Sequence, residues 1–257
     1  MKTIKHGDFT QLAEQYIYRP GYSYPVLRAL ISYIRTEHGI DRVADVGAGT
    51  GKLTEILADL GLQGYAVEPN DAMRREALRM GTSLQNFSWS TGTAEQTDLP
   101  DSSVDWVCMA SSFHWTDKKA ALAEFHRILR GNGFFTALWN PRDIERSELH
   151  MEIEDLVRYY VPDLKRVSSG LHNPMSGIQE DLLSTGHFRD VLFMEASHEI
   201  EMSKERYINI WRSVNDIQVQ AGPERFEKLI KAIERKIEHL DMIVVPYKTR
   251  AWTVQAR

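Results

Sequence analysis

Apolar positions along the chain switch between two periods. Val26, Leu27, Leu30, Ile31 and Ile34 recur at helical spacing and predict an amphipathic helix. Arg42-Val43-Ala44-Asp45-Val46-Gly47 reads as a short strand entering a glycine-rich turn. Leu53, Ile56, Leu57 and Leu60 then mark a helix that stops at Gly61. A second strand over 64–68 ends at Pro69, and Asn70 or Asp71 is placed to cap a helix running to about Met80. Residues 86–90 read as a weak third strand and Val104–Ala110 as a strong fourth. A helix over 118–129 meets a stop at Gly131-Asn132-Gly133, and a fifth strand over 134–139 closes at Asn140-Pro141.

Strands alternating with helices predict βαβ units and a parallel sheet. The alternation breaks after Arg142. Residues 144–185 read as helical or irregular, 189–200 as a sixth strand, 204–219 and 223–239 as helices, and 249–255 as a last strand. The expected fold is α/β, a doubly wound, mostly parallel seven-stranded Rossmann-like sheet with a helical cap over the substrate side. Residues 1–143 and 189–257 are expected to form the cofactor-binding core, with an N-terminal lid over 1–25. Residues 144–188 are expected to be an inserted helical cap, joined by the helices near 203–240 in covering the substrate side.

Composition narrows the function classes. A net charge of −5 over 257 residues argues against nucleic acid as the main partner, because phosphate binding wants a basic excess. The single cysteine, Cys108, sits in a strand pattern and reads as a buried core thiol. Residues 1–10 lack the apolar run of a secretory signal, and no run approaches the roughly 18 apolar residues of a membrane span. The expectation is a cytoplasmic protein with no membrane association.

The chemistry centres on Asp45-Val46-Gly47-Ala48-Gly49-Thr50-Gly51, between a strand and a helix. Glycines let the backbone turn sharply and approach a ligand closely. Glu68, at the end of the next strand, lies where ribose-binding acids lie in dinucleotide folds, and a carboxylate there accepts from both ribose hydroxyls. A nicotinamide-binding loop would have its third glycine at position 52, which is Lys52. Its diphosphate would also be repelled by an acid at the mouth of the loop, which is where Asp45 is expected to stand. S-adenosylmethionine carries an ammonium and a sulfonium and no phosphate, so the acid favours it over NAD.

These residues resemble the motifs of class I S-adenosylmethionine-dependent methyltransferases. Asp45 to Gly51 is similar to their first motif, and Glu68-Pro69-Asn70-Asp71-Ala72-Met73 to the second. Gly92-Thr93-Ala94-Glu95, Leu99-Pro100-Asp101 and Val104-Asp105 resemble the third and fourth. Ser112-Phe113-His114-Trp115 and Tyr18-Arg19-Pro20-Gly21-Tyr22 with Pro25 resemble elements of the trans-aconitate methyltransferase-like, small-molecule (methyltransferase type 11) branch, as does the tail at Pro246-Tyr247-Lys248-Thr249. The likeness covers nearly the whole chain. It implies a cofactor site of Tyr16, Arg19, Asp45, Gly47, Ala48, Gly49, Gly51, Glu68, Pro69, Met73, Thr93, Ala94, Glu95, Ala110 and Ser111. In it Arg19 and a tyrosine lie near the methionyl carboxylate, Glu68 holds ribose, and Met73 and the Ala94–Glu95 backbone flank adenine.

Several residues keep two readings. Arg19 is a carboxylate ligand or a solvated cation, and Tyr16 a ligand or packing for its helix. Met73 is an adenine contact or core filler. His114 is a general base for an acceptor hydroxyl, or it caps or orients the next turn. Phe113, Trp115 and Asn140 are candidate substrate contacts. His172, His187 and His198 show no ligand spacing, so no metal site is expected. The expected reaction is in-line transfer of a methyl group to a small-molecule acceptor, with O- or carboxyl-methylation favoured and S-adenosylhomocysteine as product, by a monomer or homodimer. The rivals are a non-catalytic S-adenosylmethionine-binding protein, a methyltransferase acting on a macromolecule, and a NAD-dependent oxidoreductase.

Overall fold

The structure is a computed structural model and describes residues 8–80, 86–165 and 177–257. Its strands are β1 (Val43–Val46), β2 (Gly64–Val67), β3 (Phe87–Ser90), β4 (Val104–Ala110), β5 (Leu129–Trp139), β6 (Phe188–Ser203) and β7 (Met242–Ala256). They form one seven-stranded sheet in the order β3-β2-β1-β4-β5-β7-β6. Strands β1 to β5 pair in parallel, and β7 runs antiparallel to β5. The chain winds outward from β1 to β3, then returns to place β4 on the other side of β1. That reversal makes the carboxyl ends of β1 and β4 the topological switch point, where open α/β sheets bind ligands.

The helices are α1 (Ala13–Tyr16), α2 (Tyr24–Glu37), α3 (Lys52–Asp59), α4 (Asp71–Arg79), α5 (Lys118–Ile128), α6 (Glu148–Tyr160), α7 (Ile178–Leu183), α8 (Lys204–Arg212) and α9 (Asn215–Ile237). Asn70 caps α4, accepting from the N–H groups of Ala72 and Met73, and Asp117 caps α5 in the same way.

The chain divides into two compact units. The core unit takes in the described residues of Gly21–Asn140, Met175–Ala196 and Thr249–Arg257. The second unit takes in those of Met1–Pro20, Pro141–Pro174 and Ser197–Lys248. In the core unit, successive strand residues point to opposite faces and feed two apolar clusters. Phe135, Ala137 and Trp139 join one with Ala44, Val46 and Phe125. Phe134 and Leu138 join the other with Val43, Leu30 and Leu57. The second unit has its own cluster, in which Ile153 and Val157 of α6 meet Trp211 of α8 and Leu229 and Ile233 of α9.

Several boundaries differ from the sequence reading. Leu129 already pairs with Val104, and the ladder shifts register between Val104 and Trp106. Gly131-Asn132-Gly133 is therefore an irregularity inside β5 rather than the end of a helix. The helix expected over 204–219 breaks at Ser213-Val214, and α9 kinks at Gly222, whose φ of +70° leaves the helical region. The segment 144–188 is shared between the units. Its α6 packs in the second, and its α7 joins the core through Ile178 and Leu182. Residues 1–7 of the expected lid and 166–176 of the expected cap, including His172, lie outside the described residues. Among the described residues no helix is long and apolar enough to cross a membrane.

Candidate functional site

The turn after β1 is built on three glycines in left-handed conformation, Gly47 (φ +69°), Gly49 (φ +59°) and Gly51 (φ +80°). Gly47 has a second reason to lack a side chain, since a Cβ there would lie 2.7 Å from Ser112 Oγ. The N–H groups of Gly47 and Ala48 both donate to the Val67 carbonyl, at 2.8 and 3.1 Å, which binds the turn to the end of β2. Gly51 is the N-cap of α3, so the first N–H groups of that helix open at the turn.

Glu68 closes this arrangement from β2. One carboxylate oxygen accepts the Gly49 N–H at 2.8 Å, and the other accepts the Asn70 N–H at 2.8 Å. Burial pushes its pKa up, against the lowering pull of the two amide donors and of Arg74. Each oxygen keeps a lone pair beyond the bond it makes, which leaves acceptors for a ligand hydroxyl.

Asp45 is fully buried rather than standing at the mouth of the turn. Its Oδ2 accepts from Thr54 Oγ1 of α3 at 2.6 Å, and its Oδ1 has no hydrogen-bond partner. Burial raises its pKa to about 7, opposed by the Thr54 donors and assisted by the charge of Glu68. A buried carboxylate with one bare oxygen gains from any cation brought near it. This feature fits the ammonium and sulfonium of S-adenosylmethionine and would repel a diphosphate. Thr54 was not singled out in the sequence. The available signal was a hydroxyl at an inward position between Leu53 and Ile56.

The other residues assigned to the cofactor in the core unit divide by accessibility. Met73 and Ala94 are buried, whereas Pro69 and Thr93 are exposed. The Glu95 carboxylate accepts the Asp117 N–H at 2.9 Å, so its side chain is committed to the start of α5 and only its backbone is offered. Ala110 ends β4. Ser111 follows it at φ +57°, a strained position for a residue with a Cβ. Its N–H donates to the Leu138 carbonyl, and its Oγ accepts from the Tyr22 hydroxyl at 3.1 Å. Tyr16 and Arg19 belong to the second unit. There Arg19 stacks over the Tyr16 ring at 4.1 Å and donates to both Oγ and O of Ser213 at 2.8 Å.

Of the candidate substrate contacts, Phe113 is wholly buried against Phe135, while Trp115 is 38% exposed. Asn140 spends its side chain internally, donating to the Gly21 carbonyl and accepting from Thr249 Oγ1. His114 Nδ1 accepts from Trp139 Nε1 at 3.2 Å. Since an indole nitrogen only donates, Nδ1 carries the lone pair, and in the neutral ring the proton sits on Nε2. His114 in this tautomer is a donor at Nε2. Among the described residues no three His, Cys, Asp or Glu side chains are grouped to hold a metal.

Residues 44–137, which contain the glycine turn and Glu68, match the family model described as a methyltransferase domain. This stretch of the chain is similar to a methyltransferase domain. Such domains use S-adenosylmethionine, and the bare Asp45 oxygen and the Glu68 clamp fit that group. An uncharacterized methyltransferase of Mycobacterium tuberculosis is 44% identical over 119 residues, covering 45% of this chain and 46% of the relative. An uncharacterized methyltransferase-like protein of Schizosaccharomyces pombe is 34% identical over 147 residues, covering 56% of this chain and 53% of the relative. The chain thus spans about half the length of the curated relatives it matches. A solved structure described as a type II methyltransferase from Anaeromyxobacter dehalogenans superposes with a TM-score of 0.63 at 19% identity, over 91% of this chain and 97% of the other. At that identity the likeness concerns the fold, and it extends beyond residues 44–137 to most of the chain.

Proposed function

We propose that this chain is an S-adenosylmethionine-dependent methyltransferase acting on a small-molecule acceptor, with methylation of an oxygen, including that of a carboxyl group, favoured. One observation carries the reading: Glu68 grips the N–H of Gly49 within a turn of three left-handed glycines, next to the bare oxygen of buried Asp45. This combination sets out ribose acceptors, close backbone and a cation-seeking carboxylate at the sheet's switch point. When bound, S-adenosylmethionine supplies a methyl group already activated on a sulfonium.

The residues of the chain then bind, orient and exclude water. Glu68 orients the ribose through its remaining lone pairs. Asp45 supplies a field favourable to positive charge. Met73 and the Ala94–Glu95 backbone border the adenine. Ser111, held at positive φ between Tyr22 and β5, shapes the end of β4 beside β1. His114 orients the acceptor through its Nε2 proton, and a base is required only where the acceptor atom must lose a proton. Orientation of this kind contributes roughly 7–11 kcal/mol to a bimolecular transfer.

The test is calorimetric titration with S-adenosylmethionine and S-adenosylhomocysteine, with NADH alongside, followed by a methyl-transfer screen on small acids and phenols. Micromolar binding of the first two, weakened in Glu68→Ala, is expected, with turnover on at least one acceptor. Binding of NADH instead, or of none, overturns the cofactor. Tight cofactor binding with no turnover on any acceptor overturns the enzymatic reading.

A further inference from the structure

The core unit contains a ring of hydrogen bonds just ahead of α2. The Ser23 N–H donates to Thr249 Oγ1 at 2.9 Å, Thr249 Oγ1 donates to Asn140 Oδ1 at 2.8 Å, and Asn140 Nδ2 donates to the Gly21 carbonyl at 3.0 Å. The ring starts and ends on the two peptide groups that flank Tyr22. Thr249 and Ser23 are buried, so each of these polar groups is satisfied inside the protein. Gly21 is packed against α3, where an added Cβ would lie 2.9 Å from Ile56 Cδ1. Gly21, Tyr22, Ser23, Ser111, Asn140 and Thr249 all belong to the core unit.

With both flanking peptides fixed, Tyr22 is held in one place. Its ring packs against the apolar cluster of α2 and α3, and its hydroxyl meets Ser111 Oγ at 3.1 Å. The Ser111 backbone is left-handed, with φ +57°, and its N–H donates to the Leu138 carbonyl. A residue with a Cβ keeps such a conformation only where its surroundings over-determine it. Ser112, the next residue, lies against the glycine turn, since its Oγ would be 2.7 Å from a Cβ at Gly47. Ser111 is thus placed beside the turn from the end of β4 and pinned there from two directions.

A phenol is more acidic than an alkyl hydroxyl, so Tyr22 donates and Ser111 Oγ accepts. Ser111 Oγ makes no other hydrogen bond among the described residues, and its own proton is left to give. Strand order decides which end of the cofactor that proton meets. The carboxyl ends of β3, β2, β1 and β4 follow one another across the sheet. They lead to Ala94–Glu95, Glu68, the glycine turn and Ser111 in that order. With ribose at Glu68 and adenine beyond it, the amino-acid end of the cofactor crosses the turn toward Ser111. There the ammonium has only protons to give, and the carboxylate is the acceptor.

We propose that Tyr22 is a positioning residue for the amino-acid end of S-adenosylmethionine: it holds Ser111 Oγ as an acceptor, so that the Ser111 proton is presented to the cofactor carboxylate, and the Asn140–Thr249 ring holds Tyr22. The assignment rests on the methyltransferase reading above and adds to it the residues that act through Ser111. A hydroxyl donating to a carboxylate makes a charge-assisted bond, stronger than one between neutral groups. Asn140 and Thr249 bear on cofactor affinity without touching the cofactor.

The experiment titrates the full chain by calorimetry with S-adenosylhomocysteine and with 5′-methylthioadenosine, which keeps the adenosine and the sulfur but has no amino-acid group. Tyr22→Phe removes one hydroxyl and keeps the packed ring, so its melting profile is expected to stay close to wild type. It is expected to weaken S-adenosylhomocysteine binding about threefold to tenfold. Ser111→Ala is expected to weaken it about tenfold, and the double variant no further, because Tyr22 acts through Ser111. Affinity for 5′-methylthioadenosine is expected to stay within about twofold of wild type in all three, since the bond concerned goes to the amino-acid end. Thr249→Ser keeps the ring and is expected to bind both ligands as wild type does. Thr249→Val breaks the ring and is expected to show the selective loss of Tyr22→Phe together with a lower Tm. Unchanged S-adenosylhomocysteine affinity in Tyr22→Phe, an equal loss for both ligands, or fully additive losses in the double variant overturns the proposal and leaves the cofactor reading standing. Failure of the wild-type chain to bind either ligand overturns the methyltransferase reading, and the role of Tyr22 with it.

Discussion

Replacing Asp45 by asparagine tests the physical core of the cofactor site. The side chain is fully buried, and its pKa moves from 3.8 to about 7, chiefly by desolvation and secondarily by the charge of Glu68. A carboxyl whose folded pKa is raised keeps its proton in the native state where the unfolded chain has released it. The native state is thus favoured below the unfolded pKa, and that advantage is lost as pH rises from about 4 through about 7. Each unit corresponds to about 1.4 kcal/mol, so the charged form costs up to about 4 kcal/mol of stability above pH 7. Asparagine imitates the neutral form and its oxygen still accepts from Thr54, at a loss of about 1 kcal/mol for exchanging a charged acceptor for a neutral one. The ligand-free Asp45→Asn variant is therefore expected to be more stable than wild type at pH 8 by about 2–3 kcal/mol. At about 2–4 °C per kcal/mol this is a rise in Tm of roughly 4–12 °C. Near pH 5 the two proteins are expected to melt together. The assay is thermal unfolding of both, without ligand, from pH 5 to 8. Parallel curves, or a variant that melts lower than wild type at pH 8, would refute the argument that Asp45 is held as an uncompensated buried acid. The same variant is expected to bind S-adenosylmethionine at least tenfold more weakly, so stability and affinity move in opposite directions.

The remaining predictions address neighbouring parts of the site. A cofactor cation near Asp45 draws its pKa down, so binding at pH 7 is expected to release about half a proton, measured by calorimetry in buffers of different ionisation enthalpy, and to release none in Asp45→Asn. Gly47→Ala is expected to cost about 2–3 kcal/mol, against about 1 kcal/mol for Gly51→Ala. Both glycines have positive φ, but a Cβ at Gly47 meets Ser112 at 2.7 Å while one at Gly51 meets Trp89 at 3.4 Å; equal melting losses would discard the steric account. Glu68→Gln turns an N–H donor toward one of the two amides that the carboxylate accepts, and S-adenosylhomocysteine affinity is expected to fall roughly 10- to 100-fold. His114→Ala is expected to lower turnover at least tenfold with cofactor affinity within twofold, and unchanged turnover would remove His114 from the acceptor side.

Local pattern was enough for the core of the fold. Val43 to Val46, Val104 to Ala110 and the apolar positions of α2 and α3 carry their own periodicity, and a glycine turn with a following acid reports a ligand loop within one βαβ unit. These signals are legible because the residues that cooperate lie within about 25 positions of one another. Three features depended on tertiary structure. Pairing of Leu129 with Val104 turned an expected helix stop into an irregularity within β5, since register is set by a neighbouring strand and not by the glycines themselves. Folding α3 back onto β1 buried Asp45 against Thr54, which converted an acid expected at the mouth of the turn into a desolvated one with a pKa near neutrality. Trp139, at the end of β5, fixed the tautomer of His114 in the turn after β4. Burial and unmet hydrogen-bonding capacity are properties of what surrounds a group, and chain pattern reports only what a group is.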